Sequence, residues 1–339
     1  MCQPVSSVLN GEASWGYTVP AGEWVFSVRW LLRFAGRVIA LSVVLVIGGV
    51  SVPFLAPNFD APAFNWPRLA HAKDPARPAR DRDPEIATAR LQDLQPALLQ
   101  AAFSRLAPQR KGTTDIYTVA VAGWSAQDVF IKEVDGALTV LERSLPTKDR
   151  ALRLLNNPET VRTAPLATHR NLAAALHAVG QTMDKSEDIL LLFMTSHGGM
   201  GGLGLQFPGG GGAVLRAHEI KATLDSEGIR NRVVIVSACY GGVFVPPLAN
   251  DDTIVLTAAD ALSTSFGCAP GRDWTYFGDA LFKQSLQPGT DFRQAFDHAR
   301  VLIRGWETLD RVPPSNPQGH FGPAVVAKLD PLFKSMASQ

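Results

Sequence analysis

The sequence predicts an α/β protein with a mainly parallel sheet flanked by helices. Short, continuous apolar runs at 189–194 and 233–236 are bounded by polar residues and glycine. Such runs are typical of strands buried on both faces of a parallel sheet. Segments with helical spacing separate these runs along the chain. Strands that alternate with helices favour a sheet covered by helices on both of its faces.

The predicted elements follow one another after residue 84. Pro96 interrupts the helical spacing of 85–106, so we expect two short helices or one kinked helix there. Next come a strand at 116–121, a helix at 128–145, a strand at 151–155, a helix at 169–183 and the strand at 189–194. A hairpin around the glycine turn 208–212, a helix at 217–227 and strands at 233–236 and 253–257 follow. Helices at 274–285 and 292–308 and a last strand at 324–327 complete the series.

Composition permits a large core and argues against several functional classes. The chain has 339 residues, of which 46% are hydrophobic and 19% charged, with a formal net charge of +1. No basic surface for nucleic acid is indicated. The three cysteines have no zinc-ligand spacing and no even-numbered disulfide pattern. A Cys239–Cys268 disulfide in an oxidising compartment stays open as an alternative.

The N-terminal part of the chain predicts a membrane anchor. Residues 38–56 carry no charge, and about 20 apolar residues span a bilayer as a helix. Arginines on the N-terminal flank place residues 1–36 in the cytoplasm, 37–56 in the membrane as a signal-anchor, and the rest on the non-cytoplasmic, periplasmic side. Residues 57–84 are rich in Pro, Ala and Arg and predict an extended linker. Two alternatives are a signal peptide cleaved near Ala70-His71-Ala72 and a buried helix of a soluble protein.

Residues 85–339 are predicted to form one domain, and its chemistry is expected at two strand ends. His197 and Gly198 follow the strand at 189–194, and Cys239 follows the strand at 233–236. In α/β sheets, ligands bind beyond the carboxyl ends of the strands. A thiol with a nearby imidazole is the material of nucleophilic catalysis. The N–H groups of Gly198 and Cys239 could form an oxyanion hole, in which one donor can contribute on the order of 3 kcal/mol.

These motifs resemble the legumain family of cysteine peptidases, which belongs to the caspase-like superfamily. The resemblance rests on Ser196-His197-Gly198, on Ser237-Ala238-Cys239-Tyr240-Gly241-Gly242 and on the blocks at 256–260, 263–268 and 276–279. It implies a three-layer caspase-like fold in which His197 and Cys239 form a catalytic dyad and Gly198 contributes to the oxyanion hole. It also implies that Ser237, Ser265 and Asp279 lie at the substrate's P1 site.

The sequence departs from the family pattern around that P1 site. Ser237 stands where legumains have an acidic residue two positions before the cysteine, and Lys132 is the one cation between residues 123 and 133. No asparagine is present there to orient the histidine, and Ser125 is the candidate substitute. A preference for Asn or Asp at P1 is therefore not predicted. The chain ends soon after the last predicted element, so we expect no activation by removal of a long C-terminal segment.

The resemblance implies an endopeptidase that acts on peptides or proteins through a thioester, without a metal or organic cofactor. Transamidation, the natural substrate and the oligomeric state stay open. One rival is an α/β-hydrolase with a Cys239 nucleophile, in which His298 or His320 would be the base. Another is a non-catalytic, membrane-tethered scaffold.

Overall fold

The computed structural model describes residues 84–337, with side chains from residue 90 onward. Its central sheet has six strands, β1 (Ile116–Ala122), β2 (Ala151–Leu155), β3 (Ile189–Thr195), β7 (Arg232–Ser237), β8 (Thr253–Thr257) and β9 (Gln318–Phe321). Their spatial order is β2-β1-β3-β7-β8-β9. All pairs are parallel except β8 with β9, which is antiparallel. The predicted mainly parallel sheet is therefore confirmed.

Helices cover both faces of this sheet. They are α1 (Pro84–Phe103), α2 (Val129–Ser144), α3 (His169–Thr182), α4 (Ala217–Ser226), α5 (Val245–Leu248), α6 (Tyr276–Gly278), α7 (Phe292–Asp310) and α8 (Pro323–Met336). A 3₁₀ segment (Gly241–Phe244) precedes α5, and a π-helical segment (Asp279–Ser285) follows α6. One apolar cluster lies between the sheet and α2, α7 and α8, and the other between the sheet and α3 and α4.

Of the two alternatives for residues 85–106, the single helix holds, because α1 runs through Pro96 to Phe103. One element prediction is wrong. The predicted last strand at 324–327 lies inside α8, which begins at Pro323. Proline at the first helical position is pre-organised for a helix, and this outweighs the short apolar run that favoured a strand. The last strand is instead β9, whose sequence Gln-Gly-His-Phe has no β-branched residue to reveal it.

Alternation along the strands assigns the two faces of the sheet. Leu191 and Phe193 of β3, with Val233 and Ile235 of β7, belong to the cluster that includes α2. The residues between them point to the opposite cluster. Because side chains alternate across a strand, every second residue beyond Phe193 and Ile235 continues towards the α2 face. This alternation decides which side chains meet at the strand ends.

A small second sheet follows directly after β3. Strands β4 (Gly198–Gly199), β5 (Gly202–Gln206) and β6 (Gly212–Leu215) are antiparallel, and β5 and β6 form the predicted hairpin around the glycine turn. The chain therefore turns back on itself immediately after His197, and the Gly204 N–H donates to the His197 carbonyl oxygen at 2.8 Å.

None of the helices within residues 84–337 is long and apolar enough to cross a membrane. The predicted anchor at 37–56, the segment 1–36 and the linker up to residue 83 lie outside the described residues.

Candidate active site

The register of β3 with β7 brings the two predicted reactive residues to one place. Thr195 is paired with Ser237 in the parallel ladder, and this pair is the last that the ladder contains. His197 and Cys239 each lie two residues further on, so both continue the side-chain row that faces α2. Contacts agree with this placement: the His197 ring lies 5.3 Å from that of Phe130 on α2, and Cys239 belongs to the same cluster as Phe130.

His197 lies in an aromatic pocket. Its ring meets the edge of Trp124 at 4.8 Å between centroids, in addition to Phe130, and only 6% of the residue is exposed. Burial disfavours the charged imidazolium and lowers the pKa of His197 to about 4. The ring is therefore neutral at pH 7, as a general base must be before it accepts a proton.

Gln127 orients this imidazole. Gln127 Nε2 donates to the carbonyl oxygen of Cys268 at 2.8 Å, which leaves Gln127 Oε1 facing His197 Nε2 as an acceptor. Nε2 must then carry the ring proton, and Nδ1 keeps its lone pair. Nδ1 is buried and has no hydrogen-bond partner among the described residues. The arrangement thus leaves one basic nitrogen without a competing donor.

Ser125, the candidate substitute for an orienting asparagine, does not hold the ring. The Ser125 hydroxyl donates to Gln206 Oε1 instead. The family pattern points to an asparagine in this stretch, so it does not indicate Gln127. A longer amide further along the same loop reaches the ring equally well.

The Cys239 thiol is free, 2% exposed and held by Ser265. Its Sγ accepts the Ser265 N–H at 3.2 Å and lies 3.6 Å from the Ser265 carbonyl oxygen, to which the S–H donates. Burial raises the pKa of the thiol, against a smaller lowering by the hydrogen bonds from Ser265. The alternative disulfide with Cys268 is wrong, since Cys239 is unpaired. No hydrogen bond joins the thiol to the ring of His197 within the described region.

The backbone around Cys239 turns sharply. Tyr240 adopts a left-handed conformation with φ of 57°, which is uncommon for a residue with a side chain, and its N–H donates to the Ser263 carbonyl oxygen. A Cβ at Gly198 would lie 2.0 Å from the Cys239 carbonyl oxygen. Glycine is therefore required at position 198 for the two strand ends to approach this closely.

Of the other predicted site residues, one contacts the Cys239 thiol and the others have different partners. Ser265 lies against the thiol, whereas Ser237 is 2% exposed and turned towards α2. Asp279 pairs with Lys283 and accepts a hydrogen bond from Gln284 on its own helical segment. Lys132 pairs with Asp128 and Asp273. The structure thus brings Ser265 to Cys239 and gives Asp279 partners on its own helical segment.

The two histidines of the rival hydrolase reading have other partners. His298 Nδ1 is hydrogen-bonded to the Ser285 hydroxyl at 3.0 Å. His320 Nε2 donates to the Asn250 carbonyl oxygen at 2.9 Å. Asn250 precedes β8 and so lies near the amino ends of the parallel strands, opposite the end that carries Cys239. Neither histidine is placed as a base for this thiol.

Beneath the two candidate residues lies a fully buried carboxylate, Glu133 of α2. It accepts hydrogen bonds from the hydroxyls of Thr195, of Ser237 at 3.2 Å and of Thr275 at 2.6 Å. Burial raises the pKa of Glu133 to about 7, against the lowering effect of these hydroxyls. Sequence reasoning missed this residue, although one signal was present: Glu133 interrupts the apolar stripe Val129, Phe130, Val134, Ala137, Leu141 of α2.

A free thiol and a neutral imidazole at neighbouring strand ends of an α/β fold are the chemical groups that a hydrolase with a cysteine nucleophile requires. Residues 168–315 match the model of the Peptidase C13 family, which is the legumain family. Residues 168–315 are therefore similar to a family of cysteine peptidases, and this match supports a cysteine peptidase in general. His197, Cys239, Ser265 and Asp279 lie within the matched segment, whereas Gln127 and Glu133 precede it.

Two further comparisons complete this result. No curated protein matches the chain significantly. One solved structure that does match is the crystal structure of caspase-1 from Spodoptera frugiperda. That alignment has 12% sequence identity and a TM-score of 0.43, and it covers 65% of this chain and 89% of the caspase chain.

The first prediction concerns the tautomer of His197. Gln127→Leu removes the acceptor that holds the proton on Nε2, so we expect a mixture of ring tautomers in place of a single one. The ¹⁵N chemical shifts of the His197 ring, measured by NMR at pH 7, report this directly. Gln284→Leu, an exposed amide on another element, is the matched control. A proton found on Nδ1 in the unsubstituted protein would contradict the assignment.

The second prediction concerns stability and pH. Because the pKa of Glu133 is raised in the folded state, the stability that its proton provides is lost as pH rises through about 7. The lowered pKa of His197 acts in the opposite direction, but only below about pH 6.5. Between pH 6.5 and 8 the free energy of unfolding should therefore fall by about 1 kcal/mol because of Glu133.

Urea denaturation across this pH range measures the effect. Glu133→Gln should flatten this part of the curve, whereas Glu142→Gln, at an exposed position of the same helix, should leave it unchanged. Parallel curves for Glu133→Gln and the unsubstituted protein would show that Glu133 is not the titrating group.

Proposed function

We propose that the protein is an endopeptidase in which Cys239 is the nucleophile and His197 the general base. The proposal rests on one observation: within a Peptidase C13 segment, a free thiol and a neutral imidazole follow neighbouring parallel strands on the same face of the sheet. The sheet order and the antiparallel sixth strand also support a three-layer caspase-like arrangement.

In the resting protein both reactive groups are neutral. Burial lowers the pKa of His197 and raises the pKa of Cys239, so an imidazolium–thiolate pair is disfavoured before substrate binds. The substrate must displace the Ser265 backbone from the thiol, because Ser265 now occupies both the donor and the acceptor capacity of Sγ. The proton then passes to His197 Nδ1 as the sulfur attacks.

The reaction proceeds in two halves. Attack of the Cys239 sulfur on the peptide carbonyl carbon forms a tetrahedral oxyanion, and the N–H groups of Gly198 and Cys239 stabilise it. The His197 imidazolium gives its proton to the leaving amine, and a thioester remains on Cys239. Water then loses a proton to the neutral imidazole and attacks the thioester, and the carboxylic acid product leaves as the thiol reforms.

Among the residues of the P1 site we propose Ser265 as the closest to the scissile bond, because its backbone already contacts the thiol. Ser237 and Asp279 would lie further from the scissile bond and help to form the walls of the P1 site. The close approach of Gly198 to the Cys239 carbonyl oxygen supports a shared oxyanion hole at this point.

The third prediction tests the nucleophile and the base. In the full chain, Cys239→Ala and His197→Ala should each lower kcat for cleavage of a peptide library by about 10³-fold or more, since residues that act as a unit cannot replace one another. His218→Ala, an exposed histidine on α4, is the control and should cleave normally. Equal turnover by Cys239→Ala and the unsubstituted chain would refute the mechanism.

We also propose that residues 37–56 anchor the protein in a membrane, with the peptidase domain on the non-cytoplasmic, periplasmic side. The uncharged run at 38–56, preceded by arginines, supports this orientation.

The fourth prediction follows from this anchor. After extraction of membranes at alkaline pH, the full chain should stay in the membrane pellet, and deletion of 38–56 should release it to the supernatant. Added protease should degrade the domain in cells whose outer membrane is permeabilised, while the cytoplasm stays closed. A mature N-terminus found directly after Ala72 would show instead that the segment is a cleaved signal peptide.

A further inference from the structure

The buried carboxylate of Glu133 has a chemical setting that the peptidase mechanism does not use. It is 0% exposed and forms no ion pair with a cation among the described residues, and its side-chain partners are three hydroxyls. A buried carboxylate without a cation is costly unless its acceptor capacity is filled. The three hydroxyls fill this acceptor capacity, and their positions indicate the role of Glu133.

Two of the hydroxyls come from the strands that carry the reactive residues. Thr195 is two residues before His197, and Ser237 is two residues before Cys239, and these two partners face each other in the ladder. The regular ladder ends at this pair, and one further backbone hydrogen bond of 3.3 Å runs from the Ser196 N–H to the Ser237 carbonyl oxygen. Glu133 therefore joins β3 to β7 at the last pair of the ladder before the site.

The third hydroxyl belongs to the segment that holds the thiol. Thr275 caps α6, where its Oγ1 accepts the Gly278 N–H at 3.1 Å, and it ends the irregular segment that contains Ser265. A Cβ at Gly278 would lie 1.9 Å from Glu133 Oε1, so glycine leaves room for the carboxylate. One carboxylate thus contacts all three parts of the chain that define the position of Cys239 and His197.

The hydroxyls require an acceptor at this position. Above its pKa of about 7 the carboxylate of Glu133 is ionised and only accepts, and it can then receive all three O–H groups at once. An amide at the same position would present an NH₂ group that needs acceptors, so one hydroxyl would have to turn away. The volume would be nearly unchanged, but the hydrogen bonds that join the three segments would differ.

We propose that Glu133 is a positioning residue of the peptidase site, which fixes His197 relative to Cys239 by joining Thr195, Ser237 and Thr275. The inference rests on the proposed function, because it assigns Glu133 to the alignment of the same two residues. Glu133 itself does not touch the substrate. A displacement of about 1 Å at a reacting pair costs up to roughly 100-fold in rate, which is the scale of effect expected.

The test compares kcat and KM of full-length variants on a cleaved peptide. Glu133→Gln and Thr195→Val should each lower kcat about ten- to hundred-fold and change KM less than about three-fold. Thr195→Ser keeps the hydroxyl and should restore kcat to within about three-fold of the unsubstituted value. Glu142→Gln, on the exposed face of α2, is the control. Circular dichroism and urea midpoints establish that each variant is folded under the assay conditions.

Three results would overturn the inference. The first is unchanged kcat in folded Glu133→Gln and Thr195→Val. The second is a loss of kcat that only follows the unfolded fraction. The third is equal loss in Thr195→Ser and Thr195→Val, because the hydroxyl would then be irrelevant. Should Glu133→Gln fail to fold, the Thr195 pair decides the question alone.

A separate experiment distinguishes failure of the proposed peptidase function from failure of the positioning role of Glu133. If the unsubstituted chain has no Cys239-dependent cleavage, the function is refuted, and the positioning role is then measured by alkylation of Cys239 with iodoacetamide at pH 7.5. The rate constant for alkylation of Cys239 should differ at least about three-fold between Thr195→Val and Thr195→Ser. Identical alkylation rates would refute the positioning role as well.

Discussion

The candidate site depends on the in-register parallel pairing of β3 with β7. Thr195 faces Ser237 in this ladder, and each strand then continues for two residues to its reactive side chain. A shift of the register by one residue would turn one of the two side chains to the opposite face of the sheet. The apolar runs at 189–194 and 233–236 fix this register, because the two faces of the sheet pack against different helix layers.

The same burial that secures the strands determines the electrostatics of the site. His197, Cys239 and Glu133 all lie where water is largely excluded. Burial shifts the pKa of each group in the direction that favours its neutral form. Gln127, Ser265 and three hydroxyls then satisfy these groups with oriented hydrogen bonds. In the proposed mechanism, His197 and Cys239 are therefore both neutral until a substrate binds.

Much of the fold was predictable from the sequence, because periodicity and glycine placement carry local information. The predicted parallel strands and most helices occur within a few residues of the expected bounds. The edge strand β9 was not predictable, since Gln318–Phe321 has little strand propensity and is held by its pairing with β8. Pro323 likewise marks a helix start that the apolar run after it obscured.

At the site, the sequence predicts the reactive residues that follow the strands. It does not predict the residues of other elements that form hydrogen bonds with these strand ends. His197 and Cys239 stand in recognisable motifs, whereas Gln127 and Glu133 act across about 70 and 100 residues of chain through contacts that only tertiary structure creates. The stripe of α2 did contain a hint, because a carboxylate among buried apolar positions requires partners.

In the proposed mechanism, His197 activates the sulfur of Cys239. Covalent labelling of the full chain by a peptidyl electrophile, followed by mass spectrometry, measures this activation, because it isolates attack by the sulfur from later steps. We expect a single adduct at Cys239, formed about 100-fold more slowly when His197 is replaced by alanine. Labelling at the same rate with and without the imidazole, or at a residue other than Cys239, would contradict it.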